Sequence, residues 1–127
     1  MKSFRFARTS KYKAIRQEID GIKFDSRAEA CRYQVLKMLQ QSGQIKDLVL
    51  QPTYRLMEGF KHNGKTIRPI DYRADFKYIE NGIEVIEDVK GFSTPDYLLK
   101  AKLFIKAYLQ GTNKKYYLIH NGQRKEY

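Results

Sequence analysis

Residues 71–90 alternate between polar and apolar side chains, and this period of two predicts two half-buried β-strands. Between the strands lies Asn81-Gly82, a dipeptide that favours a two-residue hairpin turn because both of its positions accept a positive φ. Such a turn fixes the register, so Tyr78 is expected opposite Val85 and Ala74 opposite Val89. We therefore expect a single apolar face that carries Tyr72, Ala74, Phe76 and Tyr78.

The same register places two carboxylates opposite each other on the other face of this hairpin. Asp75 is expected opposite Asp88, at a position where Cα atoms lie about 4.5 Å apart, and Arg73 is expected opposite Lys90. Two like charges this close destabilise a sheet unless something neutralises them. A shared proton, the basic side chains of Arg73, Lys77 and Lys90, or a hard cation would each do so, and we favour the cation.

Further turn signals predict the remaining strands. Asp20-Gly21 predicts an N-terminal hairpin, and Asn63-Gly64 predicts a third hairpin formed by residues 53–62 and 65–72. Residues 45–51 predict a strand that ends before a proline. Residues 115–120 predict a last strand, which is expected to be parallel to its neighbour because it follows a helical crossover.

Two segments have the spacing and the end signals of helices. Apolar residues at helical spacing predict a first helix that begins at Ser26 and ends near residue 41. Thr94-Pro95-Asp96 has the order typical of a second helix start, and that helix is expected to continue to about residue 110. The order of elements predicts an α/β (α+β) fold, in which two helices flank a mixed central sheet and an N-terminal hairpin precedes them.

Length and cysteine content narrow the class of protein. At 127 residues the chain is expected to form one domain, 1–127, with a flexible basic arm at residues 1–10. No apolar run approaches the ~20 residues of a membrane span, and no apolar stretch follows the basic N-terminus as in a secretory signal. Cys31 is the only cysteine, which excludes an intramolecular disulfide and a thiolate zinc cluster and fits a cytoplasmic protein.

The charge points to a polyanionic partner. Lys and Arg number 25 and Asp and Glu 14, which gives a net charge of +11. The excess lies at the two ends of the chain, whereas the middle holds the acid pair. This distribution favours a protein that binds DNA and concentrates a metal ion at one point, and a solvated basic surface is the alternative. The residues expected to contact DNA are Lys11, Lys13, Arg16, Arg73 and Lys100, although for Lys100 we favour a solvated surface position.

Asp75, followed by Asp88-Val89-Lys90 on the next strand, resembles the core of the PD-(D/E)XK nuclease superfamily. The segments DGIKFDSRAEACRY and DVKG, with the order of elements, also resemble a small phage-borne family catalogued as a domain of unknown function, over residues 11–120. Ala74 stands where the superfamily has proline, and Asp88 replaces the commoner glutamate. Neither change removes a ligand.

The resemblance implies a restriction-endonuclease-like core and a Mg²⁺-dependent hydrolysis of DNA phosphodiester bonds, in which Mn²⁺ can substitute. It implies that Asp75, Asp88 and the carbonyl of Val89 hold the metal and that Lys90 holds the attacking water. In this superfamily a glutamate from the first helix joins the site, which would make Glu29 a metal ligand and a catalytic residue.

Glu29 has a second interpretation that the local sequence favours. Ser26-x-x-Glu29 is a capping box, in which the glutamate reaches back to the backbone of the serine at the start of the helix. The resemblance shifts our expectation toward the metal site, and both roles stay open at this point.

The size, basic character and order of elements also resemble those of Holliday-junction resolvases. That resemblance implies structure-selective cleavage of branched DNA in phage recombination or DNA processing, in the host cytoplasm. It also implies a homodimer, because cleavage of a junction needs two active sites. The alternatives are a nuclease that acts on duplex DNA or DNA ends, and a DNA-binding module on an inactive nuclease scaffold.

Overall fold

The computed structural model describes residues 16–89 and 94–127. The predicted arm at residues 1–10 lies outside this part of the chain, as do Lys11, Lys13 and Lys90. The two helices are α1 at Arg27–Gln41 and α2 at Pro95–Phe104, and a π-helical turn at Ile105–Leu109 continues α2. The strands are β1 Gln17–Ile19, β2 Ile22–Phe24, β3 Lys46–Leu50, β4 Thr53–Met57, β5 Phe60–His62, β6 Lys65–Ile67, β7 Ile70–Arg73, β8 Phe76–Glu80, β9 Ile83–Val89, β10 Lys115–His120 and β11 Gln123–Glu126.

A five-stranded mixed sheet forms the centre of the fold. Its strand order is β11-β10-β9-β8-β3. β9 and β10 are parallel, as expected for strands joined by a helical crossover, and the other neighbours are antiparallel. The predicted mixed α+β architecture, with two helices and an N-terminal hairpin, is therefore confirmed.

The Asx-Gly turns set the register of the sheet. Asn81 and Gly82 have φ values of 53° and 76°, which are the positive values that a type I′ turn requires. Tyr78 therefore pairs with Val85, as predicted. Asp20-Gly21 and Asn63-Gly64 turn in the same way. The sequence analysis missed a fourth turn of this kind at Asn121-Gly122, which joins β10 to β11.

The predicted third hairpin forms, but its pairing is interrupted between the base and the tip. β4 pairs with β7 at its base, and β5 pairs with β6 at its tip. At the interruption the two chain segments come close together, because a Cβ atom on Gly59 would lie 3.0 Å from the carbonyl oxygen of Ile67. We call the two strand pairs, β4 with β7 and β5 with β6, the ribbon.

The two helices pack on opposite faces of the sheet and bury two separate cores. Phe76 and Tyr78 of β8 belong to the core under α1, together with Ala30, Tyr33, Leu36 and Val85. Ile86 belongs to the core under α2, together with Tyr72, Ala74, Ala101, Phe104 and Tyr116. Adjacent residues of β9, Val85 and Ile86, thus point into different cores, as period-two alternation requires.

The expectation of a single apolar face for Tyr72, Ala74, Phe76 and Tyr78 is wrong. The chain leaves the ladder between β7 and β8, where the backbone N–H of Ala74 donates to the carbonyl of Pro52 at 3.0 Å. The N–H of Asp75 donates to the carbonyl of Glu87 at 3.1 Å, although Glu87 already pairs with Phe76. Two residues therefore oppose one, as in a β-bulge, and the side chains before the bulge point to the other face.

The ends of both helices agree with their sequence signals. Ser26 caps α1, where its Oγ accepts a hydrogen bond from the N–H of Glu29 at 3.1 Å. Thr94 caps α2 in the same way, with Pro95 in the first turn. Among the helices that the structure describes, none has the length and apolar character needed to cross a membrane.

Candidate active site

The bulge brings Asp75 against Asp88, and each carboxylate is held by the backbone of the other strand. The N–H of Asp75 donates to Asp88 Oδ1 at 3.1 Å, and the N–H of Val89 donates to Asp75 Oδ2 at 2.7 Å. Asp88 is 6% exposed, so these charges are removed from water. The two acids are therefore adjacent, but through the bulge and not as the directly opposed pair that the register predicted, because the ladder ends at Phe76 and Glu87. The expectation that Ala74 lies opposite Val89 is wrong for the same reason, and the two side chains belong to different cores.

The two carboxyl groups share the features of a site that binds a proton or a cation. Burial raises the pKa of Asp75, the neighbouring charge of Asp88 raises it further, and Arg73 counteracts this shift. Burial also raises the pKa of Asp88. Both carboxyls therefore hold a proton to a higher pH than a free aspartate does, and a cation that binds between them must displace it.

Tyrosine hydroxyls surround the outer oxygen of Asp88. The hydroxyl of Tyr72 donates to Asp88 Oδ2, and that of Tyr116 donates to the same atom at 3.3 Å. The Tyr72 and Tyr116 hydroxyls lie 2.6 Å apart, and the Tyr97 hydroxyl lies 3.0 Å from that of Tyr116. These hydrogen bonds favour the ionised carboxylate and so lower the pKa of Asp88 against the larger effect of burial. Sequence reasoning missed this network because it joins three distant segments.

Glu29 lies on the edge of the acid pair. Together with Gln51 and Asp75 it lines a crevice that is too narrow to admit a water molecule. Its pKa is raised to about 7, chiefly by burial and then by the charges of Asp75 and Asp25. Its backbone N–H makes the capping bond to Ser26, so one half of the predicted capping box is present. The fold thus gives Glu29 both neighbourhoods that the sequence left open.

A groove of about 600 Å³ opens beside Asp88. Arg73 of β7 and Lys100 of α2, two of the residues expected to contact DNA, line this groove together with Asp88, as do the acids Asp71 and Asp96. Lys100 is half-buried, and its Nζ lies 3.9 Å from Asp96 Oδ2. Arg16 is exposed at the start of the described chain.

A second buried acid lies next to Asp88 on the other face of β9. Glu87 is fully buried, and Arg32 of α1 binds it through two hydrogen bonds, Nε to Oε1 at 2.7 Å and Nη2 to Oε2 at 2.6 Å. The hydroxyl of Tyr78 donates to the same carboxylate. Glu87 is therefore neutralised within the core and takes no part in the acid pair.

The donor atoms around Asp75 and Asp88 fit a hard divalent cation. They are carboxylate oxygens, which Mg²⁺ prefers, and Mg²⁺ is usually held by only one or two protein carboxylates with water and phosphate oxygens as the other ligands. Within residues 16–89 and 94–127, no group of three or more acidic, histidine or cysteine side chains is arranged to hold a metal ion.

The fold and site define a mixed α+β protein whose acid pair lies beside a groove of mixed charge, lined by Asp71, Asp88 and Asp96 as well as by Arg73 and Lys100. The chain belongs to the family described as "Protein of unknown function (DUF1064)", which matches residues 9–120. No curated protein matches the chain, and no solved structure does either.

Proposed function

We propose that the protein is a metal-dependent DNA endonuclease of the PD-(D/E)XK type with a restriction-endonuclease-like core. The observation that carries this proposal is the close approach of Asp75 and Asp88, in which the N–H of Asp75 donates to Asp88 Oδ1 and the N–H of Val89 donates to Asp75 Oδ2. Two carboxylates brought together and desolvated are costly for a fold, and a site that binds a cation is a functional reason for them. The net charge of +11 supports a polyphosphate substrate.

The residues of the chain would divide the work by position. Once ionised, Asp75 and Asp88 would hold a Mg²⁺ or Mn²⁺ ion, with the carbonyl of Val89 and Glu29 as further oxygen donors. When bound, the cation would polarise the scissile phosphate and make water a stronger nucleophile. Arg73 and Lys100 in the groove walls would position the DNA backbone. Lys90, two positions after Asp88, would orient the attacking water and offset the charge that develops in the transition state.

We further propose that the substrate is branched DNA, as in Holliday-junction resolvases, and that the enzyme acts as a homodimer. The choice of branched DNA is supported by the small basic domain, by its order of elements and by the groove of about 600 Å³ beside Asp88. Cleavage of duplex DNA or of DNA ends is the alternative substrate preference.

One observation favours a second candidate, a DNA-binding module without catalytic activity. The Oδ2 atom of Asp88 accepts from Tyr72 and Tyr116, and Oδ1 accepts from the N–H of Asp75. A carboxylate with this many donors is already satisfied. In this candidate these donors keep the oxygens of Asp88 occupied, no cation binds, and DNA binds through the basic side chains of the surface alone.

A cleavage assay on four substrates separates these candidates. Four-way junction, flap, duplex and single-stranded DNA are incubated with Mg²⁺ or Mn²⁺ and wild type, Asp88→Ala, Lys90→Ala or the control Lys46→Ala, whose side chain is exposed on β3. We expect wild type and Lys46→Ala to nick the junction. Asp88→Ala and Lys90→Ala should bind it but lose ~10²–10³ in rate or more.

The outcomes point in different directions. Equal cleavage by Lys90→Ala and wild type would remove the proposed mechanism. Binding without cleavage in either metal would favour the inactive module. Binding that does not weaken between low and moderate salt would contradict the DNA assignment, because phosphate contacts release counterions.

A further inference from the structure

The tip of the ribbon projects away from both cores. The residues of β5 and β6 are exposed except Ile67, which is half-buried, and the two strands pack mainly against each other. Phe60 is a large apolar residue that is 51% exposed at the start of this tip. An isolated two-stranded hairpin is marginally stable in water, so a hairpin held out in solvent calls for a partner.

The base of the ribbon is anchored although its tip is not. Arg55 of β4 forms ion pairs with Asp71 of β7 and with Glu58, which lock the two strands together. The hydroxyl of Tyr108 donates to the carbonyl of Arg55 at 2.7 Å and attaches the ribbon to the end of the second helix. These contacts hold the base of the ribbon, and the tip beyond the interruption, which we call the arm, extends into solvent.

The tip carries only positive charge. Between Gly59 and Ile70 the chain has Lys61, Lys65 and Arg68 and no acidic residue. Lys65 lies on the same face as its partner His62, whereas Lys61 lies on the opposite face with Thr66. Cations on both faces of a narrow ribbon match a partner that surrounds the ribbon with negative charge on two sides.

We propose that the β5–β6 hairpin enters the major groove of duplex DNA. The major groove is ~12 Å wide and ~8.5 Å deep and admits a two-stranded ribbon between its two phosphate backbones. Three residues per strand extend about 10 Å, which is close to the depth of that groove. Lys61 and Lys65 then reach phosphates on the two sides of the groove.

The arm and the acid pair can engage the same duplex. Thr53, at the base of the ribbon, lines the groove beside Asp88, and it pairs with Arg73. His62, at the tip, is nine residues further along the chain, so it lies no more than about 30 Å from Thr53. This is within one helical turn of B-DNA, which is about 34 Å. The inference rests on the proposed DNA-binding function, and it assigns a duplex arm next to the point of cleavage.

The test compares two double variants with equal charge change in the full chain. Lys61→Gln/Lys65→Gln removes two cations from the arm, and Lys46→Gln/Lys125→Gln removes two exposed cations from β3 and β11. Affinity for a 30-bp duplex is measured over a series of salt concentrations, with Ca²⁺ in place of Mg²⁺, and compared with a single strand of the same length. Dimethyl sulfate protection then distinguishes guanine N7 in the major groove from adenine N3 in the minor groove.

We expect the arm variant to bind duplex several-fold more weakly and to reduce the salt slope by about two, because each phosphate contact contributes about one. The control variant and single-strand binding should change less. Wild type should protect guanine N7 at a patch that the arm variant leaves open.

Several results would overturn the inference, and they differ from a failure of the endonuclease proposal. Equal losses of duplex affinity in the two double variants, or protection of adenine N3 alone, would contradict the proposed role of the β5–β6 hairpin. Neither result would bear on the endonuclease proposal. Binding by wild type without cleavage would contradict the endonuclease proposal. The role of the hairpin would then be judged from the affinities of the two double variants relative to wild type. Absence of any duplex binding by wild type would remove both proposals.

Discussion

Arg32 and Glu87 form a bidentate ion pair inside the core under α1, at 2.7 and 2.6 Å, on the strand that carries Asp88 on its opposite face. Arg32 is 8% exposed and Glu87 is fully buried. Successive side chains of β9 point to opposite faces of the sheet. Glu87 on one face is thus neutralised by Arg32, whereas Asp88 on the other face has no such permanent cation among its hydrogen-bond donors. This contrast separates the structural carboxylate from the candidate functional one.

We expect the Arg32–Glu87 ion pair to affect the free energy of unfolding and not the proposed nuclease activity. Arg32→Met should lower the free energy of unfolding by about 3–5 kcal/mol, because it leaves a buried charge without its partner. Arg32→Met/Glu87→Met should recover most of that loss, because well-packed apolar residues often replace a buried pair without cost. Urea unfolding of the two variants measures both effects. A double variant as unstable as the single one would contradict this account.

Asp75 should make the stability of the protein depend on pH. Burial and Asp88 raise the pKa of Asp75 in the folded state. Its contribution to stability is therefore complete below the unfolded pKa of ~3.9 and is lost as the pH rises through the folded pKa. Asp75→Asn should match wild type near pH 4 and exceed its stability by about 1–2 kcal/mol at pH 8. A difference that is the same at both pH values, in urea unfolding without divalent cations, would count against the raised pKa of Asp75.

Binding of a divalent cation should release a proton. The carboxyls must ionise to act as ligands, so the affinity for Mg²⁺ or Mn²⁺ should rise by roughly tenfold between pH 6 and pH 8. Titration calorimetry in two buffers of different ionisation enthalpy counts the protons released. Asp75→Asn should abolish the signal, whereas Asp47→Asn, at an exposed acid of β3, should keep it. Cation binding with no proton release would show that another site binds the metal.

Tyr72 should act as a positioning residue for Asp88. Its hydroxyl donates to Asp88 Oδ2 and favours the ionised carboxylate, so Tyr72→Phe should raise the pKa of Asp88 further. The pH midpoint of cation binding should move upward, while the free energy of unfolding falls by only about 1 kcal/mol. Tyr117→Phe is the matched control, because that ring packs on the α1 side beneath Arg124. An unchanged midpoint in Tyr72→Phe would reduce Tyr72 to a packing role.

Glu29→Gln distinguishes the two interpretations of Glu29. Burial and the charge of Asp75 raise the pKa of Glu29 to about 7, and both side chains line the same narrow crevice. Glu29 therefore lies near the proposed cation site. We expect the variant to keep its stability within about 1 kcal/mol, since the capping bond comes from Ser26 and survives, and to bind Mn²⁺ about tenfold more weakly. Unchanged Mn²⁺ affinity with a loss of stability would leave Glu29 as a helix cap only.

Local signals predicted the parts of the fold that depend on local chemistry. Asp20-Gly21, Asn63-Gly64 and Asn81-Gly82 each specify a turn through the φ values that their residues accept, and all three turns form. The register that followed from the last of them holds from Glu80 and Ile83 to Phe76 and Glu87, and the bulge beyond it brings Asp75 to Asp88. The turn at Asn121-Gly122 carries the same signal and was missed, although nothing physical hid it.

Contacts between distant segments could not be predicted in this way. Arg32 and Glu87 lie 55 residues apart in the chain, and no pattern of either segment indicates the other. The tyrosines around Asp88 come from β7 and β10, where alternation identified them only as buried residues. The bulge before Phe76 was also missed, because there the N–H of Ala74 leaves β9 and donates to Pro52, in the connection between β3 and β4, and the sequence around Ala74 does not indicate that partner.

The crossing of the chain from one core to the other at Ala74 and Asp75 constrains how this site can change. Tyr72 is locked into one packed layer and Phe76 into the other. Inserting or deleting a single residue between them would turn one of these rings out to water. The spacing that aims Asp75 at Asp88 is thus enforced by the interior of the protein, whatever the chemistry at its surface demands.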